Sequence, residues 1–214
     1  DQRRSFSKKE FIQQHLDNVG PYGPAGHGFN SENAETQKAY YKFQMADGVI
    51  GIMLDTTNPN GGPDGSLDVD QANWLEAQLQ EHSSKYFAAD GTLIENSNPN
   101  SIITIFSHHN SITFDNLKKA PTGSPDTPRL GSAAFLDLLL RYPNVVLWVN
   151  GHTHCNRIWS HYDPLGRGHG IWEVNTAAHI DYPQQSRTIE ILDNRDGTLS
   201  IIAVVVDHSS PESI

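Results

Sequence analysis

Eleven histidines are many for 214 residues, and their placement is more informative than their number. His108 and His109 directly follow the apolar run Ile102-Ile103-Thr104-Ile105-Phe106, separated from it only by Ser107. His152 and His154 follow a second run, Val145-Val146-Leu147-Trp148-Val149, after Asn150 and Gly151. Neutral imidazole is the commonest side-chain metal ligand, and open α/β sheets place ligands beyond the carboxyl ends of their strands. Gly151 permits a tight turn that would aim imidazoles back over the sheet edge. In extended backbone, residues i and i+2 point the same way. His152 and His154 are therefore expected to face one point in space, or two adjacent metals. For each histidine the alternative is a structural residue satisfied by hydrogen bonds.

Several other chemistries find no support. His-Glu-x-x-His is absent, as are a Gly-x-Ser-x-Gly nucleophile elbow and a Walker loop. The His-x-His-x-Asp-His pattern fails because Cys155, Asn156 and Arg157 follow His154. Cys155 is the single cysteine, so neither an internal disulfide nor a Cys-x-x-Cys zinc site can form. It reads as a small buried residue rather than a nucleophile beside His154.

The elements that must carry these residues are legible from periodicity. Val49–Leu54, Ser101–Phe106 and Val145–Val149 are continuous apolar runs expected to be buried strands. Between the first two, Asp68 is expected to cap a helix with Gln71 as its capping-box partner, with Ala72, Leu75 and Leu79 facing inward. Between the second and third, Ser132 is expected to cap a helix carrying Phe135, Leu136, Leu139 and Leu140, ended by Pro143. Ile171–Ala178, Arg187–Leu192 and Leu199–Asp207 read as strands without intervening helices, the last two joined by a hairpin through 193–197. The fold class expected is α/β with a mixed sheet and helices packed on it. Residues 1–45 read as irregular, with a short helix at Lys8–Leu16 and a Gly/Pro loop over 20–28. Segment 20–30 is a candidate cap over the site.

Fifteen basic against 25 acidic residues leave a net charge of -10. A chain that neutralises a phosphate backbone carries the opposite balance, so nucleic-acid binding is not expected as the main task. No apolar run approaches the ~18 residues of a membrane span. The first residues lead into polar sequence, and no signal peptide is expected in them. The residues do not indicate a compartment.

Phe106-Ser107-His108-His109-Asn110, followed 44 positions after His108 by Asn150-Gly151-His152-Thr153-His154, resembles the last two signature blocks of the calcineurin-like metallophosphoesterases. Leu54-Asp55-Thr56, Gly65-Ser66-Leu67-Asp68, Gln71-Ala72-Asn73-Trp74-Leu75 and Trp172–His179 extend the likeness, in particular to the actinobacterial-type branch, from about Tyr40 onward. The resemblance implies a four-layer α/β/β/α sandwich holding two divalent metals (manganese, iron or zinc). A hydroxide bridging them attacks phosphomonoesters or phosphodiesters. By position, His108 and His152 match ligands of the second metal and His154 a ligand of the first. His109 would line the substrate side or support the ligands, and His179 and Asp55 are weaker supporting candidates.

The family's Asp-x-His, Gly-Asp-x-x-Asp and Gly-Asn-His-Asp/Glu blocks do not occur in these residues. The resemblance therefore implies that 46–214 corresponds to the C-terminal lobe and that 1–45 continues from a missing half. The expected catalytic histidine would lie in that half, which would also supply the carboxylates. The expected partners are a phosphate ester substrate, and either that half or a second copy covering an exposed apolar sheet face. The alternative function is a non-catalytic metal- or partner-binding fragment.

Overall fold

The computed structural model describes Arg4, residues 6–18 and residues 25–208. Residues 20–24 of the Gly/Pro-rich stretch lie outside this range. Two short helices come first, α1 (Lys8–Asp17) and α2 (Ser31–Thr36), followed by strands β1 (Tyr41–Ala46) and β2 (Val49–Met53). Then come β3 (Leu67–Asp68), helix α3 (Val69–Glu81), β4 (Lys85–Phe87), β5 (Leu93–Glu95) and β6 (Ile102–Phe106). The remainder is β7 (Arg129–Leu130), helix α4 (Ser132–Leu140), β8 (Val145–Asn150), β9 (Arg157–Tyr162), β10 (Gly170–Asn175), β11 (Gln185–Asp193) and β12 (Leu199–Asp207).

The central sheet is mixed and six-stranded, in the order β1-β2-β6-β8-β10-β9. The inner pairs β2/β6, β6/β8 and β8/β10 are parallel, while β1 and β9 close the edges antiparallel. The expected α/β class with a mixed sheet is thus observed. Helices α3 and α4 supply the apolar core on one face. Leu75, Leu79, Phe135 and Leu139, all fully buried, meet Ile52, Ile103 and Ile105 from the sheet. On the opposite face Phe43 lies so close over Gly51 that a Cβ there would sit 2.4 Å from the ring. Further along that face Trp172 is 48% exposed and Ile158 53% exposed. The β11–β12 ribbon, a separate two-stranded sheet, lies beside them, with Leu199, Ile201 and Ala203 walling a shared apolar groove. None of the helices among the described residues is long and apolar enough to cross a membrane.

Local chemistry departs from the expected pattern in three places. Segment 1–45 is not irregular throughout: it contains α1, α2 and β1, and Ser7 and Asn30 each cap their helix through a reciprocal capping box. Asp68 caps α3 as expected, its Oδ1 accepting from Gln71 N–H at 2.8 Å. Gln71, however, does not return to the cap. Its amide clasps the peptide of Asp55 from both sides, accepting from Asp55 N–H at 2.8 Å and donating to Asp55 carbonyl at 2.7 Å. A buried glutamine gains more from two peptide partners in the neighbouring strand end than from one in its own turn. At α4 the cap is Gly131, not Ser132, and no side chain of the cap residue serves it. The Asp115 carboxylate accepts from Ser132 N–H at 2.9 Å instead, and a Cβ on Gly131 would sit 2.2 Å from that oxygen.

Candidate metal centre

Because β2, β6, β8 and β10 run parallel, their carboxyl ends share one edge of the sheet. That edge carries Asp55, His108, His109, His152, His154 and His179. The structure brings two of them into direct contact. His152 Nδ1 lies 3.0 Å from His108 Nε2. Two nitrogens bound side by side to one ion at about 2.1 Å are about 3.0–3.4 Å apart, depending on coordination geometry. Without an ion the contact is an imidazole–imidazole hydrogen bond, one ring donating to the other; with both nitrogens unprotonated the same separation matches two donors of one divalent cation. His152 Nε2 sits 3.7 Å from an Asp64 carboxylate oxygen. At that distance the carboxylate is an electrostatic neighbour of the ring and not a hydrogen-bond acceptor.

His109 belongs to the same cluster, in which ligand atoms of His108, His109 and His152 lie within 4.8 Å of one another. Its own nitrogens are already committed. Nε2 lies 2.9 Å from the Pro63 carbonyl, which can only accept, so Nε2 carries the proton. Nδ1 then accepts from the Thr56 hydroxyl at 2.7 Å. With no lone pair free, His109 supports the other two rings, 4.8 Å from His108 and 4.6 Å from His152 between centroids. It is buried and is not among the residues lining the groove that holds His108, His152 and His154. A Cβ on Gly65 would lie 2.3 Å from its Nδ1, so glycine there makes room for the ring.

His152 and His154 do not lie in extended backbone. Their φ angles are 71° and 52°. Left-handed backbone costs a non-glycine residue about 1–2 kcal/mol and persists only where the surroundings over-determine it. Here Gly151 N–H donates to the His108 carbonyl at 2.9 Å, tying the two histidine turns together. The fully buried Asn110 amide donates to the Gly151 carbonyl at 3.0 Å, to Thr153 Oγ1 at 3.1 Å and to Asn175 Oδ1 at 2.7 Å. Asn175 Nδ2 returns to Thr153 Oγ1 at 3.0 Å. The alternation argument thus fails locally. His152 joins His108, while His154 stands exposed, its Nδ1 3.6 Å from an Asp181 oxygen. It lines the same groove of about 330 Å³ as His108 and His152.

Asp55 is tied to Lys8 Nζ at 2.5 Å and accepts from Thr57 N–H at 3.1 Å. His179 is exposed on the loop after β10, two positions before Asp181. Cys155 is exposed rather than buried, and its Sγ donates to the Thr153 carbonyl at 3.0 Å. His108 is solvent-exposed, and partial desolvation together with the neighbouring imidazoles His109, His152 and His154 lowers its pKa. That favours the neutral form, the form that binds metal.

Sequence reasoning missed Asn110, Asn175 and Glu173. Glu173 is fully buried under the histidine turn. One oxygen accepts from Ser111 N–H at 2.8 Å and Asn150 Nδ2 at 2.7 Å, and the other meets His161 Nε2 at 2.6 Å. Burial alone would raise its pKa. The hydrogen bonds from His161, Ser111 and Asn150 outweigh burial and hold the carboxyl below its ordinary value. A depressed carboxyl stabilises the fold above its unfolded pKa, and that contribution is lost as pH falls through the folded pKa. Urea midpoints measured from about pH 6 to about pH 3 should therefore fall more steeply for the wild type than for Glu173→Gln, which should itself be weaker by about 1–3 kcal/mol at neutral pH. Parallel pH profiles would show that Glu173 is not ionised in the fold.

The fold and site define an α/β sheet with a histidine pair at its carboxyl edge. No family model matches the chain, and no curated protein matches it at a significant level.

Proposed function

We propose that this chain forms part of a metal-dependent phosphoric ester hydrolase, in which His108 and His152 hold one divalent cation. The observation that carries the reading is the 3.0 Å approach of His108 Nε2 to His152 Nδ1 at the carboxyl edge of a parallel sheet. The resemblance of the two histidine blocks to the metallophosphoesterases supplies the reaction class.

A divalent cation there would supply Lewis-acid activation of water and neutralise charge on phosphoryl oxygens. The chain's own residues do the rest. His109 packs against both rings, and Asn110 and Asn175 hold the turn that carries His152, so an ion would have to displace only the proton shared by the two rings. His154, on the rim of the groove, is positioned for a second ion or for the phosphoryl group itself. A bridged pair of metals needs carboxylates of the kind carried by the family's first three blocks, which these residues do not include. The proposed whole is the four-layer sandwich, its second sheet resting on the face that bears Trp172 and Ile158.

The test is turnover of p-nitrophenyl phosphate and bis(p-nitrophenyl) phosphate with added manganese. The expected result is hydrolysis of at least one ester, lost in His152→Ala. Metal binding without hydrolysis of either would favour the alternative, a non-catalytic metal-binding lobe.

A further inference from the structure

A second groove adjoins the histidine edge, with a volume of about 380 Å³. Its walls are Phe11 and His15 from α1, His27 and Phe29 from the segment before α2, and Tyr41 from β1. Met53 and His108 line both this groove and the one holding His152 and His154. They form the ridge between the two. A phosphoryl group drawn to a cation held by His108 and His152 would have its organic portion next to Met53 and the aromatic groove.

The wall geometry suits a flat apolar guest. Phe29 meets Tyr41 with centroids 4.7 Å apart and planes at 68°, and meets His15 at 5.4 Å and 75°. His27 meets His15 at 5.5 Å and 89°. These edge-to-face contacts brace the rings against one another, so the groove has an aromatic wall whose rings are fixed by their neighbours. The rings are held in place. Gly28, with φ 105°, lies so close to Tyr41 that a Cβ would meet its ring at 2.1 Å. His15 Nδ1 is fixed to the Phe11 carbonyl at 2.8 Å. At the floor, the charge of Asp55 is matched by Lys8 at 2.5 Å, which limits repulsion of an anion nearby. The volume is that of a small-ligand site and accommodates one or two rings.

We propose that this groove receives the aryl group of the substrate, so that the chain selects phosphate esters of planar aromatic alcohols. The inference rests on the phosphoesterase reading of the histidine edge. It assigns Phe11, Phe29 and Tyr41 to substrate selection, and it assigns the N-terminal helices to the site rather than to a connecting segment.

Calorimetric titration of the manganese-supplemented chain with phenylphosphonate and with methylphosphonate tests it, because neither compound can be hydrolysed. Phenylphosphonate is expected to bind roughly tenfold or more tightly, the effect of withdrawing one ring from water. Phe29→Ala should remove most of that preference, with methylphosphonate as the internal reference. Phe11→Ala, at a half-exposed position, should reduce it in the same sense. Equal affinities for the two phosphonates in the wild type would overturn the aryl groove while leaving the anion site standing. Binding of neither phosphonate would overturn the phosphoesterase reading and this inference with it. A preference that survives in both variants would place the aryl group elsewhere.

Discussion

His152→Ala is expected to weaken manganese or zinc binding by roughly a hundredfold or more, and His108→Ala by a similar factor. Substitution of residues that merely orient a ligand costs about 10–100-fold in metal affinity, and these two changes remove donors outright. The structure allows no replacement from within the cluster. His109 is the only other histidine whose ligand atoms fall within 4.8 Å of the pair among the described residues. Both its nitrogens are bound to Thr56 and Pro63. His109→Ala should therefore act differently: a smaller loss of affinity, about tenfold, accompanied by a clear loss of fold stability. Titration calorimetry of the three variants separates these patterns. If His109→Ala weakened metal binding as much as His152→Ala, the assignment of His109 as a support would be wrong. If none of the three changed affinity, the cation would bind elsewhere.

Trp148→Ala is expected to cost about 3–5 kcal/mol, a large fraction of the stability of a typical domain. Trp148 is fully buried between the sheet and α4, with its ring 5.1 Å from Phe135 and 5.8 Å from Phe114 between centroids. Its indole N–H also donates to Ser107 Oγ at 2.8 Å, and that hydroxyl donates to the His109 carbonyl at 2.8 Å. One side chain thus fills the core and braces the first histidine turn. Trp148→Phe separates the two roles. It keeps an aromatic body but withdraws the donor, and should cost about 2 kcal/mol, for the smaller ring together with the lost hydrogen bond. Urea unfolding followed by circular dichroism measures both. A Trp148→Phe protein as unstable as Trp148→Ala would mean that the hydrogen bond, not packing, dominates at this position.

The inner sheet was legible in the sequence because parallel strands buried on both faces must be continuously apolar, and Val49–Met53, Ile102–Phe106 and Val145–Val149 are. Their carboxyl ends then located the histidine edge. Strands at the sheet's margins carried a weaker signal. In β9 the sequence Arg-Ile-Trp-Ser-His-Tyr mixes polar and aromatic side chains at a half-exposed edge. β1 had a usable cue in Asp47-Gly48, a common hairpin turn, with Gly48 at φ 72°. The geometry at the site was not legible, because its determinants are distant in the chain. Asn110 reaches Gly151 and Asn175 across 41 and 65 positions, and no local pattern announces that its amide will hold His152 and His154 in left-handed backbone. The same holds for Gln71, whose spacing from Asp68 fits a capping box while its side chain serves Asp55.

The borrowed cap on α4 bears on how the molecule assembles. A nine-residue helix is too short to persist alone in water, and α4 has no capping side chain of its own at Gly131. Its first turn is completed only when Asp115, 17 positions upstream, has arrived. Asp115 in turn sits five residues past Asn110, on the same chain segment as His108. The start of the helix and the segment that follows the histidine turn are thus coupled through one carboxylate. Asp115→Ala is therefore expected to reduce amide protection of the first turn of α4 and of the segment after His109 together, measured by hydrogen exchange.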